Sequence, residues 1–239
     1  GKVRGAAGTG ERVLTSSSSP GVSLKQEGIS YIAGAQLPCV IMNVMRGGPG
    51  LGSIQAGQGD YFQATKGGGH GDYHLVVFAP ASVQESIDLM SVAFDTADKY
   101  QCPVMIVADG MICQMMEPVE LPEMKEYTVD LEKKPWAANG HGLSKKSGRS
   151  IINSMYITTE ALTEHNEVLQ ACYREIEANE VRYEAYNMEN AEIVVTAFGT
   201  VARIAKSAID DLKEEGFNVG LFRPITLWPF PYKELHDAA

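Results

Sequence analysis

One arginine follows a stretch of sequence in a way that suits the binding of an anion. Residues 39–45 (CVIMNVM) form an apolar run typical of a strand buried on both faces, and Arg46 follows directly. A turn rich in glycine comes next, at residues 47–52 (GGPGLG). A strand, a tight turn and a helix start present backbone N–H groups at the carboxyl edge of a sheet, where open α/β sheets bind ligands. The pattern predicts an anion site at Arg46 and a helical segment from residue 53 to about residue 65.

The same turn argues against a nucleotide site. The dinucleotide fingerprint requires a third glycine where Gln55 stands, and the sequence contains no Gly-Lys-Ser/Thr motif of the Walker type. A glycine-rich turn after a strand is often only a tight turn, so the pattern alone leaves both an anion site and a plain turn open.

A run of four serines is the second candidate. Ser16, Ser17, Ser18 and Ser19 follow a strand predicted at residues 12–15 and precede a helix predicted at about residues 22–35. Their hydroxyl and N–H groups could bind a ligand at the strand end. Alternatively, Ser19 simply caps the helix.

Two single residues complete the set of candidates. His70 lies in a second glycine-rich loop (KGGGHGDY, residues 66–73), where it could donate to a ligand or shuttle a proton, although an exposed loop histidine is the commoner case. Asp109 ends another apolar run before Gly110, and an Asp-Gly turn is favoured there over a metal ligand.

Alternating strands and helices position these residues. The predicted buried strands are residues 39–45, 75–79 and 103–108, and a capping box at Ser82 and Glu85 opens the helix between the last two. No hairpin signal interrupts them. Right-handed crossovers then give a doubly wound parallel sheet, so the predicted fold class is α/β. The glycine turn, the serines and Gly110 would converge on one edge of that sheet.

The sequence divides into three ranges. Residues 1–116 are predicted as one domain, and residues 117–188 as an extended linker followed by a charged surface helix. Residues 189–239 are predicted as a second α/β domain with a single βαβ unit. One such unit cannot bury its own faces, so a further strand must be missing or come from another chain.

Composition narrows the function classes. The net charge of −10 argues against a general nucleic-acid or membrane-surface protein. No apolar run is long enough to span a bilayer and no secretory segment opens the sequence, which favours the cytoplasm. The four cysteines form no C-x-x-C pair, so neither an iron–sulfur cluster nor a structural zinc site is indicated, and a disulfide framework is not expected. Cys39 and Cys102 each stand next to a proline at the start of an apolar strand, which favours buried thiols.

Four motifs together resemble one enzyme family. They are TSSSSPG at residues 15–21, RGGPGLG at 46–52, KGGGHGDY at 66–73 and LFRPITLWPFP at 221–231. In this order they look like the alpha subunit of a 2-oxoacid:ferredoxin oxidoreductase, nearest the 2-oxoisovalerate (branched-chain 2-oxoacid) type. The resemblance extends over essentially the whole sequence.

The resemblance implies a thiamine diphosphate enzyme that oxidatively decarboxylates a 2-oxoacid, transfers the acyl group to coenzyme A and passes electrons to ferredoxin. The first domain would be similar to the pyrimidine-binding domain of thiamine enzymes, and the second to the transketolase C-terminal domain. A beta subunit would hold the pyrophosphate and its Mg²⁺. Iron–sulfur clusters would lie on partner subunits, and gamma and ferredoxin-like subunits would complete the complex.

The resemblance also carries over roles residue by residue. Arg46 matches the arginine that binds the substrate carboxylate, and Gly47, Gly48 and Pro49 match the turn that shapes this pocket. The serines at 16–19 match the loop near the cofactor pyrimidine, with no indication of which serine makes the contact.

The turn departs from the 2-oxoglutarate branch, in which Ser-Thr usually follows the proline. Gly50 and Leu51 stand there instead, which removes two hydroxyls and adds an apolar side chain. A pocket without those polar partners is expected to favour an aliphatic substrate over one with a second carboxylate.

Other family features fall outside the sequence. The Tyr-Pro-Ile-Thr-Pro motif and the glutamate that protonates the aminopyrimidine would precede Gly1, and the last strands of the second domain would follow residue 239. We therefore expect a partial chain with no catalytic residue of its own and no activity alone. The alternatives are a 2-oxoglutarate- or pyruvate-type subunit, another thiamine-dependent class, or a non-catalytic α/β scaffold in which Arg46 binds a structural anion.

Overall fold

The computed structural model describes residues 1–124, 127–130, 132–138, 140 and 150–238. In this part of the chain the first unit contains α1 (Lys2–Gly8), β1 (Leu14–Ser17), α2 (Pro20–Ser23), α3 (Gln26–Gly34), β2 (Cys39–Met45), α4 (Tyr61–Thr65), β3 (Val76–Phe78), α5 (Val83–Tyr100), β4 (Pro103–Asp109) and α6 (Gly110–Gln114). The remaining elements are α7 (Thr159–Asn179), β5 (Tyr183–Tyr186), β6 (Ile193–Thr196), α8 (Gly199–Glu214), β7 (Val219–Pro224), β8 (Thr226–Trp228) and α9 (Tyr232–Ala238).

The first sheet has the strand order β1-β2-β4-β3-β8. Its first four strands are parallel, as predicted, because each is joined to the next by a crossover and not by a hairpin. The central strand β4 is buried along its whole length, and β2 is nearly so. A strand buried on both faces must be covered by helices on both sides, which is the doubly wound α/β arrangement.

Strand β8 was not predicted, and it pairs antiparallel with β3. It belongs to the range 189–239 yet extends the first sheet. Three residues are too few to show the two-residue period by which a strand is recognised in a sequence.

The second sheet has the order β5-β7-β6. The βαβ unit of β6, α8 and β7 is present as predicted, but its third strand was misjudged. That strand is β5, from this same chain, at residues predicted to be the end of the surface helix. Helix α7 ends at Asn179, and the strand Tyr183–Tyr186 is only four residues long, too short for its pattern to be distinguished from a helix end.

The segment predicted as a linker is attached to the first unit. The Lys134 side chain is 10% exposed, and its ammonium donates to Gly10 O at 2.9 Å, Asp98 Oδ1 at 2.7 Å and the Tyr127 hydroxyl at 2.7 Å. Three acceptors satisfy all three N–H groups of a lysine. Within the described ranges, no helix is long and apolar enough to cross a membrane.

A buried arginine joins the two units. Arg223 of β7 donates through Nη1 and Nη2 to both oxygens of Glu85 in α5, each at 2.9 Å, and through Nε to Glu184 of β5 at 2.6 Å. Glu184 also accepts a hydrogen bond from Lys206. Burial would raise the pKa of Glu184, but the hydrogen bonds from Lys206 and Arg223 outweigh it, so the pKa of this carboxyl lies below its ordinary value of 4.5.

This shift predicts an acid-dependent loss of stability. A carboxyl whose pKa is lower in the folded chain stabilises it fully above the unfolded-state pKa, and loses that contribution as the pH falls through the folded-state pKa. The free energy of unfolding of the native chain should therefore exceed that of Glu184→Gln at pH 7, and the difference should shrink below about pH 4.5. Urea unfolding of both chains from pH 7 to pH 3 measures it. A difference that stays constant with pH would contradict the assignment.

Candidate functional site

A closed turn follows β2. Arg46 forms an isolated antiparallel bridge with Ala56, Gly47 N donates to Gln55 O at 2.8 Å, and Ser53 N donates to Gly47 O at 2.9 Å. Gly52 has a φ of +64°, and a Cβ there would lie 1.9 Å from Gly47 O, so only glycine closes this turn. The chain thus returns alongside Arg46.

This return corrects the predicted helix. Only residues 61–65 of the segment predicted from residue 53 are helical. Gly57 and Gly59 disfavour a helix, and the backbone of Gln55 and Ala56 pairs with the end of β2 instead. No helix N-terminus therefore follows the turn directly, and the N–H groups of residues 47 and 53 are used within it.

The Arg46 guanidinium is partly occupied. Nε donates to Ser18 Oγ at 3.1 Å, and Nη1 donates to the carbonyl oxygens of Leu51 and, at 3.0 Å, Ser53. Among the described residues Nη2 has no hydrogen-bond partner. A guanidinium has five N–H donors, so the two on Nη2 remain for a ligand. The turn fixes the arginine and leaves one nitrogen free.

The serines occupy different positions. Ser16 is exposed, and its carbonyl accepts from Lys25 Nζ at 2.6 Å. The hydroxyl of Ser17 fills the space beside Gly21, where an added Cβ would lie 2.1 Å from Ser17 Oγ. Ser18 binds Arg46, as given above. The carboxyl end of β1 thus directs one serine of the run toward the arginine.

The capping role predicted for Ser19 is wrong. Ser19 stands at the N-cap position of α2, but its side chain makes no capping hydrogen bond. Its φ is +45°, an uncommon value for a residue other than glycine. Its hydroxyl oxygen is buried with no partner among the described residues. The predicted helix at residues 22–35 is also two helices, α2 and α3.

A cavity of about 590 Å³ joins the arginine turn to the serine loop. Its walls come from the end of β2, the turn, α2 and the start of α4. The lining residues are Ser19, Pro20, Ser23, Arg46, Gly48, Pro49, Gly50, Leu51 and Asp60. Of the predicted site residues, the structure places Ser19, Arg46, Gly48 and Pro49 around one space.

Two polar residues of this site were not predicted. Asn43 of β2 is fully buried, and its Nδ2 donates to Asp60 Oδ2 at 3.1 Å, while its Oδ1 has no partner among the described residues. Buried polar groups are usually satisfied, so such an orphan needs an explanation. The signal was present in the sequence, because an asparagine interrupts the apolar run CVIMNVM.

His70 lies apart from this cavity. It is exposed in the loop between α4 and β3, and the described part of the chain shows no hydrogen bond to its side chain. The loop itself is held by Tyr73, whose hydroxyl accepts from Gly69 N at 3.1 Å and donates to Gln26 Oε1 at 3.1 Å. The contact predicted for His70 stays a prediction.

The thiols and acids offer no metal centre in the described part of the chain. All four cysteines are free thiols; Cys39 and Cys102 are buried as predicted, whereas Cys113 is exposed and Cys172 is partly buried. Burial raises the pKa of the Cys39 thiol to about 12. Such a thiol behaves as a small apolar group. The described residues contain no group of three or more His, Cys, Asp or Glu side chains that could hold a metal ion. Asp109 instead caps α6, accepting from Met111 N and Ile112 N at 3.2 Å each.

Two protein families match consecutive parts of the chain. Residues 1–185 match the family described as pyruvate flavodoxin/ferredoxin oxidoreductase, thiamine diphosphate-binding. Residues 191–239 match the pyruvate:ferredoxin oxidoreductase core domain II.

Individual relatives of the chain are also subunits of 2-oxoacid oxidoreductases or synthases. The chain is 50% identical over 238 residues to the ketoisovalerate oxidoreductase subunit VorB of Methanothermobacter marburgensis, covering 99% of this chain and 66% of that protein. It is 34% identical over 250 residues to the 2-oxoglutarate synthase subunit KorA of Methanocaldococcus jannaschii, covering 96% of this chain and 67% of that protein. The chain therefore spans about two thirds of the length of these relatives.

One solved structure shares the fold. It is a 2-oxoglutarate:ferredoxin oxidoreductase from Magnetococcus marinus with 2-oxoglutarate, coenzyme A and succinyl-CoA bound. The TM-score is 0.81 at 21% identity, covering 99% of this chain and 45% of that one.

Proposed function

Because this chain belongs to the pyruvate flavodoxin/ferredoxin oxidoreductase family, we propose that it forms the alpha-type part of an enzyme that oxidatively decarboxylates a 2-oxoacid to its acyl-CoA. Ferredoxin would accept the electrons. Arg46 would bind the carboxylate of the 2-oxoacid. The observation that carries this proposal is the fixed guanidinium at the cavity edge, whose Nη2 bonds to none of the described residues.

The free nitrogen defines how a carboxylate would bind. With Nε and Nη1 engaged, Nη2 can donate one or two charge-assisted hydrogen bonds, which are the stronger kind. A bidentate contact through two nitrogens would require the Ser18 hydroxyl, or the carbonyls of Leu51 and Ser53, to be released from the guanidinium. Gly48 and Pro49 lie beside the arginine and carry little side chain, so they leave room for the bound acid.

The serine end of the cavity fits a polar heterocycle. The Ser19 hydroxyl and the Asn43 amide oxygen are buried groups without partners among the described residues. Of these two residues Ser19 lines the cavity and Asn43 does not, so a pyrimidine with its ring nitrogens and amino group would supply a partner for the Ser19 hydroxyl. We therefore propose that Ser19 lies beside the pyrimidine of thiamine diphosphate, with Asn43 and Asp60 behind it and Ser16 and Ser17 farther away.

Thiamine diphosphate, when bound, supplies the nucleophilic carbon that decarboxylation of a 2-oxoacid requires. The residues of this chain would orient the acid and exclude water from it. The remaining parts are proposed for other polypeptides: a beta subunit that holds the pyrophosphate and Mg²⁺, and gamma and ferredoxin-like subunits with iron–sulfur clusters. The glutamate expected upstream of Gly1 and the cytoplasmic location remain predictions.

The proposed substrate is 2-oxoisovalerate. VorB, at 50% identity, is named for ketoisovalerate, whereas KorA, at 34%, is named for 2-oxoglutarate. In this chain Leu51 lines the cavity with an exposed apolar side chain, and Gly50 has a φ of +68°, where serine would be strained. Neither residue offers a side-chain hydrogen bond to a second carboxylate.

We expect the assembled complex to prefer 2-oxoisovalerate over 2-oxoglutarate by at least about tenfold in kcat/KM, because a carboxylate buried without a partner is costly. Initial rates with the two acids, measured with a one-electron dye, test this. Leu51→Thr restores a hydroxyl at the rim and should reduce the ratio, while Leu51→Val, which stays apolar, should not. Equal or faster turnover of 2-oxoglutarate by the native complex would reject the assignment.

A further inference from the structure

Helix α8 of the second unit is bonded to residues next to the arginine turn. The Asp109 carboxylate accepts from Thr200 N at 2.9 Å through Oδ2 and from Thr200 Oγ1 at 2.6 Å through Oδ1. Beside it, Gln58 Nε2 donates to Phe198 O at 2.8 Å. Two independent sets of hydrogen bonds therefore connect the start of α8 to the first unit, one at its N-cap Phe198 and one at Thr200.

Asp109 lies close to Arg46 through the sheet. It is the last residue of β4, and its Cα partner in the neighbouring strand is Met45, which directly precedes Arg46. The residue is only 3% exposed. Its carboxylate accepts from two N–H groups of α6 in addition to the two donors of Thr200. Four donors around a buried carboxylate fix its position firmly.

Gln58 lies at the far end of the limb that returns alongside Arg46. That limb begins at Gln55, whose carbonyl accepts from Gly47 N, and continues through Ala56, which bridges to Arg46. The limb is thus held by the backbone of the arginine turn at one end and by Phe198 at the other. Shifting Gln58 would move the same stretch of chain that places the Ser53 carbonyl against Nη1.

The start of α8 packs tightly against Gln58 and Asp109. Gly199 has a φ of +59°, and a Cβ at this residue would lie 2.9 Å from Gln58 Nε2 and 3.0 Å from Asp109 Oδ2. The start of α8 is therefore in direct contact with both links. It cannot approach the first unit more closely without displacing them.

We propose that Thr200, acting through Asp109 and alongside Gln58, is a positioning residue that holds the Arg46 guanidinium in place for the 2-oxoacid. The inference rests on the proposed role of Arg46. It assigns to the second unit a part in substrate binding, since α8 fixes the turn from which Arg46 projects. Thr200 itself does not line the cavity.

Thr200→Val in the assembled complex tests the proposal, because valine keeps the shape of threonine and removes only the hydroxyl donor. We expect the KM for the 2-oxoacid to rise at least about fivefold, with kcat within about twofold of native, since a small misplacement of a binding group weakens substrate binding. Thr200→Ser keeps the hydroxyl and should restore the native KM.

The matched control is Glu85→Gln. It weakens the Glu85–Arg223 contact, which also joins the two units but does not touch the turn. We expect this variant to lower the melting temperature of the complex and to leave the KM unchanged. An unchanged KM in Thr200→Val, or an equal rise in Glu85→Gln, would overturn the proposal.

Hydrogen exchange separates this inference from the role of Arg46. The N–H groups of Gly47 and Ser53 are protected by bonds within the turn, and they should exchange faster in Thr200→Val than in Glu85→Gln. Unchanged exchange of these N–H groups would overturn the positioning role of Thr200.

Arg46→Lys separates this inference from the proposed function. If Arg46→Lys left the KM unchanged while hydrogen exchange increased in Thr200→Val, the proposed role of Arg46 in substrate binding would fail, but the link from Thr200 to the arginine turn would stand. In the Arg46→Lys background, Thr200→Val should raise the KM less than it does alone.

Discussion

Replacing Arg46 by alanine is expected to lower the kcat/KM of the assembled complex for its 2-oxoacid by at least about a hundredfold. The change removes the cation that would meet the substrate carboxylate. It also removes the three hydrogen bonds that hold Ser18, Leu51 and Ser53 around the turn. A hundredfold loss corresponds to about 2.7 kcal/mol, which lies within the range of about 2–5 kcal/mol that losing one partner of a desolvated charge pair typically costs.

Arg46→Lys distinguishes charge from geometry. Lysine keeps one positive charge but lacks the planar fork, so it cannot bind Ser18, the turn carbonyls and a carboxylate together. We expect activity between that of the native complex and Arg46→Ala. The control is Arg12→Lys, which alters an arginine bound to Asp95 and Asp98 ahead of β1 and should leave kcat/KM unchanged. A scaffold subunit would keep full activity in Arg46→Ala, and that result would reject the proposed function.

Replacing Arg223 by methionine is expected to destabilise the chain by about 3 kcal/mol, which lowers the melting temperature by roughly 6–12 °C for a chain of this size. Arg223 is 5% exposed and meets two carboxylates. Methionine has a similar length but leaves Glu85 and Glu184 facing each other without their shared cation. Both carboxylates are partly open to solvent, so the cost lies at the lower end of the range for buried pairs.

Lys233→Met provides the comparison for Arg223→Met. Lys233 pairs with Asp237 on the exposed helix α9, and such a solvent-screened pair contributes little to stability, so we expect the melting temperature of Lys233→Met to stay close to that of the native chain. Thermal or urea unfolding followed by circular dichroism measures both variants. If Arg223→Met and Lys233→Met had the same melting temperature, the contacts of Arg223 would not be what holds the two sheets together.

The parts of the fold that were predicted correctly are those in which the local pattern decides the structure. Strand β2 begins and ends as predicted because seven residues of nearly unbroken apolar character cannot be exposed on either face. The capping box at Ser82 is present, since Ser82 Oγ accepts from Glu85 N at 3.1 Å. These features need no information from distant residues.

The wrong predictions of secondary structure lie where pairing with a distant part of the chain determines the conformation. Residues 53–58 lie alongside Arg46 instead of forming a helix, because pairing with the end of β2 outweighs local preference. Strands β5 and β8 are short and form only by pairing with β7 and β3.

The position of Arg46 directly after β2 was predicted from the sequence, but the hydrogen bonds of its guanidinium were not. The end of β2 marked Arg46 as the anion partner, because the strand and the glycine turn are adjacent in sequence. The occupation of Nη1 by two turn carbonyls depends on how the turn closes, which composition does not reveal. The bond from Thr200 to Asp109 joins residues 91 positions apart, beyond the reach of any local pattern.

Ile225 alone separates β7 from β8, although those strands belong to different sheets. Its N–H donates to Arg182 O, and its carbonyl accepts from Ala79 N beside β3, so even this connecting residue is bonded on both sides. A hinge needs a few unrestrained residues to absorb rotation, and none exists at this crossing. Rotation of one sheet against the other about Ile225 would therefore have to break both of these hydrogen bonds.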